Sequence, residues 1–183
     1  MSSDEGQQNR FKTLKNGFAG LVVVGALFLS FAPESIWHGA SVVPVSERKE
    51  SGGFTLSDLE GNTWSLEAQR GKVVLVNYWA TWCPPCRAET PALVRLADEY
   101  KAKGFEVVGI SLDEDTNLIR PFVDEYKISY PILLPSNATN LSLMIEALPT
   151  TVLYDRQGRR AKRYVGAASE STFRADIEAL LKE

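Results

Sequence analysis

Residues 79–87 read Trp79-Ala80-Thr81-Trp82-Cys83-Pro84-Pro85-Cys86-Arg87. The run that leads into them, Lys72 to Trp79 (KVVLVNYW), is mostly apolar and β-branched. Apolar on both faces, it predicts a central, buried strand. After Cys86 the period changes. Leu93, Leu96, Ala97 and Tyr100 recur at helical spacing, and Gly104 stands just past the end as a C-cap. The two cysteines therefore belong to a strand-to-helix turn. In open α/β sheets, reactive groups gather at such carboxyl ends of strands.

Cysteines three apart at a helix start can close a disulfide with little rearrangement. Cys83, nearer the helix end, is expected to be exposed and to attack, because helix N–H groups and the positive end of the dipole stabilise its thiolate. Cys86, one turn further in, is expected to be more buried and to resolve a mixed disulfide formed at Cys83. Pro84 and Pro85 stiffen the turn and remove two backbone donors, so this dipeptide should tune the redox potential. Two blander readings stand beside this one. A structural disulfide closing so short a loop would constrain the unfolded chain little. A metal site would need ligands beyond the cysteine pair, and the single histidine, His38, falls near the front of the chain.

Outward from the pair, the rest of the domain reads coarsely. Phe54 to Leu56 and Thr63 to Leu66 flank a Gly-containing turn at Asp58 to Asn62 and predict a hairpin. Glu106 to Ser111 is a second buried strand. Asn117 to Tyr126 is helical, with Leu118, Phe122 and Tyr126 on one stripe. Pro131 to Leu134 is a short strand and Leu141 to Ile145 a short helix. Thr150 to Tyr154 and Arg160 to Val165 flank the turn Asp155 to Gly158. Ser169 caps a last helix with Phe173, Ile177, Leu180 and Leu181 on its apolar face. Strands joined by helices, then a hairpin and a helix, imply an α/β fold with a mixed sheet covered on both faces and right-handed crossovers. Pro91 inside the first helix should kink it, and Lys72 and Arg87 read as solvated charges, with Arg87 also placed to favour the thiolate.

The 183 residues fit one domain plus an appendage, and 44% hydrophobic content is enough for a core without disulfide staples. A net charge of −3, with no block of like charge, points away from nucleic acid. Two cysteines and one histidine are too few for a four-ligand structural zinc site. At the front, residues 1–17 form a polar tail in which Arg10, Lys12 and Lys15 precede the uncharged run Phe18 to Phe31 (FAGLVVVGALFLSF). Basic residues ahead of an apolar run favour a cytoplasmic N-terminus. The run reads as a transmembrane anchor over 18–37, extended by Ile36 and Trp37 toward the roughly 20 residues a span needs. It also reads as a cleaved signal peptide, or as a buried helix, though it is apolar all round rather than on one face. Residues 38–52 are small, polar and charged and read as a linker, with the domain at 53–183.

The segment WATWCPPCRAETPAL, with the preceding VVLVNYW and the later ALPTTVLYDRQGR, resembles the thioredoxin-like TlpA/ResA/CcmG family of membrane-anchored thiol-disulfide oxidoreductases. The resemblance covers roughly Gly53 to Glu183. It implies a thioredoxin fold with an N-terminal β-hairpin and an inserted helix-strand segment. It implies a reducing role on client protein disulfides outside the cytoplasm, on the periplasmic side of a bacterial inner membrane. Apocytochrome c is one such client in this family. It also implies a membrane thiol-disulfide electron donor and no cofactor. By resemblance Glu89 is a partly buried carboxyl near the cysteines, with a raised pKa, relaying the proton of Cys86. A solvent-facing glutamate is the alternative. By the same match the Leu148–Pro149 bond is cis and faces the pair, against an ordinary trans proline opening a strand. Trp82 is expected to cover the active surface and meet clients, or simply to pack.

Two other functions are weighed on the residues. Val108 to Asp113 (VGISLD) and the inserted helix resemble thiol peroxidases of the peroxiredoxin kind, but those use a lone attacking cysteine rather than a CxxC. A copper-handling module of the Sco kind would space its cysteines CxxxC and carry a distal histidine. This chain has no histidine after residue 38.

Overall fold

A computed structural model of the chain describes residues 42–135 and 145–183. The elements in chain order are β1 (Thr55–Asp58), β2 (Thr63–Ser65), β3 (Val73–Trp79), α1 (Pro84–Tyr100), β4 (Phe105–Ser111), α2 (Ile119–Tyr126), β5 (Ile132–Leu134), β6 (Thr150–Tyr154), β7 (Arg160–Val165) and α3 (Glu170–Leu181). The strands form one sheet in the order β2-β1-β5-β4-β3-β6-β7. β3, β4 and β5 run parallel, and β6, β7 and the β1–β2 hairpin are antiparallel to their neighbours. This is the thioredoxin arrangement, with the hairpin at one edge and α2–β5 inserted between β4 and β6.

Strand β3 explains why the site lies where it does. All seven of its residues are buried, so it lies between two apolar clusters. Val73, Leu75 and Trp79 face one cluster, with Leu93 and Leu96 of α1, Ile119 and Phe122 of α2, and Phe173 and Ile177 of α3. Val74, Val76 and Tyr78 face the other, with Leu56, Trp64, Ile110, Leu133 and Val152. Among the described residues, all three helices thus contribute to the first cluster. Each fully buried Leu or Phe here contributes about 1.5–3 kcal/mol relative to exposure. With its neighbours paired on both sides, β3 rigidly delivers its carboxyl end to the cysteine turn.

The local readings mostly hold, and the departures have physical causes. Helix α1 runs unbroken through Pro91, so the proline costs the Arg87 carbonyl its helical donor without ending the helix. Gly104 adopts the left-handed conformation (φ 83°) after a last 3₁₀ turn. Thr116–Leu118 forms a 3₁₀ turn, capped by Asp115, before α2 begins. That tighter turn shifts the helical phase, so Leu118 is exposed while Ile119 and Phe122 are buried. Most of the expected helix at 141–145 lies outside the described residues, and Ile145 itself is not helical.

The stretch read as a linker is different from its composition. Its described part, 42–52, lies along β7. The Val43 N–H donates to the Ala161 carbonyl (2.8 Å), and the Arg160 N–H donates to Lys49 (3.2 Å). Glu50 bridges Arg159 in antiparallel fashion, and the Ser51 hydroxyl donates to Gly158 (3.1 Å). Arg48 is buried, and its guanidinium donates to Asp155 (3.1 Å) and to both oxygens of Glu183 (2.6 and 2.7 Å). A single buried arginine partnered by residues more than 100 positions away leaves no trace in local composition. The expected tail and anchor, 1–17 and 18–37, lie outside the described residues. Among those described, no helix is long and apolar enough to cross a membrane.

Candidate active site

Cys83 is the N-cap of α1, and Pro84 and Pro85 occupy its first two positions. Neither proline has an N–H, so the first amide the helix can offer is that of Cys86. It donates to the Cys83 sulfur at 3.3 Å. The two sulfurs are bonded, with Cα atoms 5.3 Å apart. The dipeptide between the cysteines thus leaves one backbone donor for the attacking sulfur and aims it there. The expectation that Cys83 is exposed is not met. It is 3% exposed and Cys86 2%. In the bonded pair each sulfur covers the other, and Cys83 forms part of the wall of a cleft rather than a protrusion. That cleft, about 440 Å³, is lined by Trp82, Cys83, Pro84, Pro85, Leu112 and the segment Ile145 to Leu148. Trp82 is 66% exposed, so it forms the rim of the cleft and is not packed into the core.

The Leu148–Pro149 peptide is cis, and Leu148 closes the far wall of the cleft. The chain is held there by the Thr150 hydroxyl, which donates to the Ala147 carbonyl (2.7 Å), and by the Gly166 N–H, which donates to the Pro149 carbonyl (2.8 Å). Pro149 therefore precedes β6 on the side of the sheet where β3 delivers the cysteines.

Glu89 lies one turn beyond Cys86 on α1 and is 4% exposed. The amide Nδ2 of Asn77 donates to its Oε1 (3.0 Å), and the Ala168 N–H donates to its Oε2 (2.9 Å). Burial raises its pKa from 4.5 to about 7, and the two donors only partly oppose this. A carboxyl that titrates near neutrality can both take and return a proton at working pH. Among the described residues, no group of ligating side chains is arranged to hold a metal ion.

The residues that hold Glu89 were not singled out in the sequence. Asn77 sits on β3 facing α1, and its Nδ2 also donates to Thr151 Oγ1 on β6 (2.9 Å). One polar residue in an otherwise apolar central strand must find partners, since an unpaired buried amide costs a few kcal/mol. That was the available signal. Ala168 acts through its backbone and has no sequence signal. Arg87 is more engaged than a solvated charge: it lies over the rings of Phe122 and Tyr126 (5.2 and 5.3 Å) and pairs with Glu125 (3.1 Å). Lys72 likewise pairs with Glu106 (2.5 Å).

Comparison with known proteins agrees with this geometry. Residues 49–169 match the model of the AhpC/TSA family. The thiol-disulfide oxidoreductase ResA of Halalkalibacterium halodurans is 34% identical over 131 residues, covering 71% of this chain and 74% of that protein. The thioredoxin-like protein YneN of Bacillus subtilis is 29% identical and covers 90% of this chain and 98% of its own length. Among solved structures, a thiol:disulfide interchange protein of the thioredoxin family from Chlorobium tepidum superposes with a TM-score of 0.66 at 25% identity, covering 74% of this chain and 97% of that one. A DsbF homologue from Corynebacterium diphtheriae gives 0.68 at 28%, covering 78% and 94%. The fold that carries this cysteine pair is therefore shared with proteins named for disulfide exchange, and the chain belongs to the AhpC/TSA family as a thioredoxin-like thiol-disulfide oxidoreductase.

Proposed function

We propose that the protein reduces disulfides of client proteins outside the cytoplasm by a Cys83/Cys86 dithiol–disulfide cycle, with Glu89 as the proton relay. The observation that carries this reading is the pairing of two features on one helix. The Cys86 amide points at the Cys83 sulfur, and a buried carboxyl of pKa about 7 lies one turn on. In the reduced protein the Cys83 thiolate attacks one sulfur of a client disulfide, and the other client sulfur leaves as a thiolate. Glu89 accepts the Cys86 proton. The Cys86 thiolate then attacks Cys83 in the mixed disulfide, which closes the protein disulfide and releases the second client thiolate. Two electrons pass to the client, and its thiolates take up two protons.

The apolar cleft beside Leu148 and Pro149 fits an extended client segment, with Trp82 at its rim. The cycle closes when an external dithiol, here a membrane thiol-disulfide donor, reduces the pair again. The basic residues ahead of the apolar run at 18–31 support an anchored protein whose domain lies on the outer side of the membrane. Apocytochrome c thiols, oxidised before haem attachment, are one client class of the right chemistry. The test is to mix the reduced Cys86→Ser variant with an oxidised apocytochrome peptide containing CxxC. A mixed disulfide through Cys83 is expected to accumulate. Absence of any adduct, with wild type also failing to reduce the peptide, would remove this client from the reading.

A further inference from the structure

β4 ends at Ser111, and the two residues after it reach the turn that carries the cysteines. The Leu112 N–H donates to the Trp79 carbonyl (2.8 Å). Asp113 is 9% exposed. The Thr81 backbone N–H donates to both of its carboxylate oxygens (3.1 and 3.0 Å), and the Thr81 hydroxyl donates to Oδ1 (2.6 Å). The Ser111 hydroxyl donates to Oδ2 (2.7 Å) and accepts from the Asp113 N–H (3.1 Å). On the other side of the turn, Arg87 Nη1 donates to the Thr81 carbonyl (3.4 Å), and the Cys83 N–H donates to Ala80 (3.2 Å). All three polar groups of Thr81 are therefore engaged, two residues ahead of Cys83. A carboxylate withdrawn from water is costly unless fully hydrogen-bonded, and here its partners are chiefly the groups of one turn.

We propose that Asp113 is a positioning residue for disulfide exchange: it fixes Thr81 and so aims the Trp82–Cys83 turn at an incoming client sulfur. The inference rests on Cys83 being the attacking sulfur. In that step a bond forms between Cys83 and one client sulfur while the client S–S bond breaks. Asp113 takes no proton and makes no bond to substrate. Its contribution is geometric, because sulfur attacks a disulfide along the S–S axis, and misplacement by about 1 Å can cost on the order of 100-fold in rate.

The experiment compares Asp113→Ala, Asp113→Asn and Thr81→Val in the reduced full-length protein. One readout is stopped-flow reduction of a disulfide-bonded peptide. The other is the pH profile of Cys83 alkylation by iodoacetamide, a small reagent that needs no defined approach. Asp113→Ala is expected to slow peptide reduction by about 10- to 100-fold while the alkylation midpoint stays put, which also shows that the variant is folded. Asp113→Asn keeps the shape and one acceptor oxygen for Thr81 but replaces the other with a donor, so its rate should fall between those of Asp113→Ala and wild type. Thr81→Val, which removes one hydroxyl, gives a smaller loss and carries the test should Asp113→Ala not fold. Wild-type rates in both Asp113→Ala and Thr81→Val would overturn the proposal. A wild type that alkylates normally but does not reduce the peptide would instead overturn the exchange reading on which this inference rests.

Discussion

Glu89 and Asp155 are carboxyls buried to nearly the same degree, 4% and 2% exposed, at opposite ends of the sheet, and they differ in charge behaviour. Asp155 follows β6 at the end where β3 begins. Burial pushes its pKa up, but the Arg159 backbone N–H, the Arg159 side chain and Arg48 outweigh it and hold the pKa below the usual 3.8. Glu89 lies toward the end where β3 delivers the cysteines. Its hydrogen-bond donors are neutral amides, so burial wins and the pKa rises to about 7. Asp155 is met by backbone N–H groups and two arginines and Glu89 by two neutral amides, so burial is outweighed at the first and not at the second. The arginine cluster holds the arm at 42–52 and the chain end at Glu183 to the domain. The two amides hold the Glu89 carboxyl in place on the cysteine helix.

The largest effect should come from the arginine end. Arg48→Ala leaves Asp155 with only Arg159 as an ionic partner and removes the clamp on the arm. It should cost about 3 kcal/mol or more by urea unfolding and leave disulfide exchange unchanged. Acid sharpens the contrast. The Asp155 contribution is present above its ordinary pKa and is lost as pH falls through the lower folded value. A loss of exchange activity in Arg48→Ala matched to its loss of stability would break the division between the two ends.

Next in size is the pH dependence set by Glu89. A carboxyl raised from 4.5 to about 7 binds a proton more tightly in the folded state. Its contribution therefore lowers stability as pH rises through that window and is constant above it. Measured against Glu89→Gln, wild type should lose up to about 3 kcal/mol between those pH values. The same substitution should slow closure of the Cys83–Cys86 disulfide and remove a titration near pH 7 from its rate. Parallel stability curves for the two proteins would contradict the assignment.

The smallest effect is expected from Asn77→Ala, about 1–3 kcal/mol by chemical unfolding. It removes one donor to Glu89 and one to Thr151. Because the donor to Glu89 favours the charged form, the Glu89 titration should move further up, as read by carbon NMR of the labelled carboxyl. A downward move would mean that Asn77 favours the protonated carboxyl.

Most of the fold was legible because it rests on period and punctuation. The apolar run ending at Trp79, the helical spacing from Leu93 to Tyr100, Gly104 and Ser169 each specify a local state, and each adopts it. The place of the cysteines on a strand-to-helix turn, the burial of Glu89 and the cis bond before Pro149 were legible through spacing and family likeness. What escaped were relations between distant residues. Arg48 lies in SERKES, which reads as solvated, yet its partners are Asp155 and Glu183. Asn77 reads as an interruption in an apolar strand until α1 and β6 bring Glu89 and Thr151 to it. Leu118 was misplaced because a 3₁₀ turn advances the phase, which an assumed continuous period cannot show. Cys83 reads as exposed from its place at the helix end, yet it is buried in the wall of a cleft that Leu112 and the segment Ile145 to Leu148, distant in sequence, help to form.

The central claim is that Cys83 and Cys86 form one reversible, reducing dithiol couple. Equilibrating the protein in graded dithiol and disulfide buffers and quantifying the pair by alkylation tests it most directly. The account predicts a single two-electron transition near that of thioredoxin, about −270 mV. A transition near about −120 mV, as in strong oxidants, would contradict the reducing role, and no transition at all would contradict the couple itself.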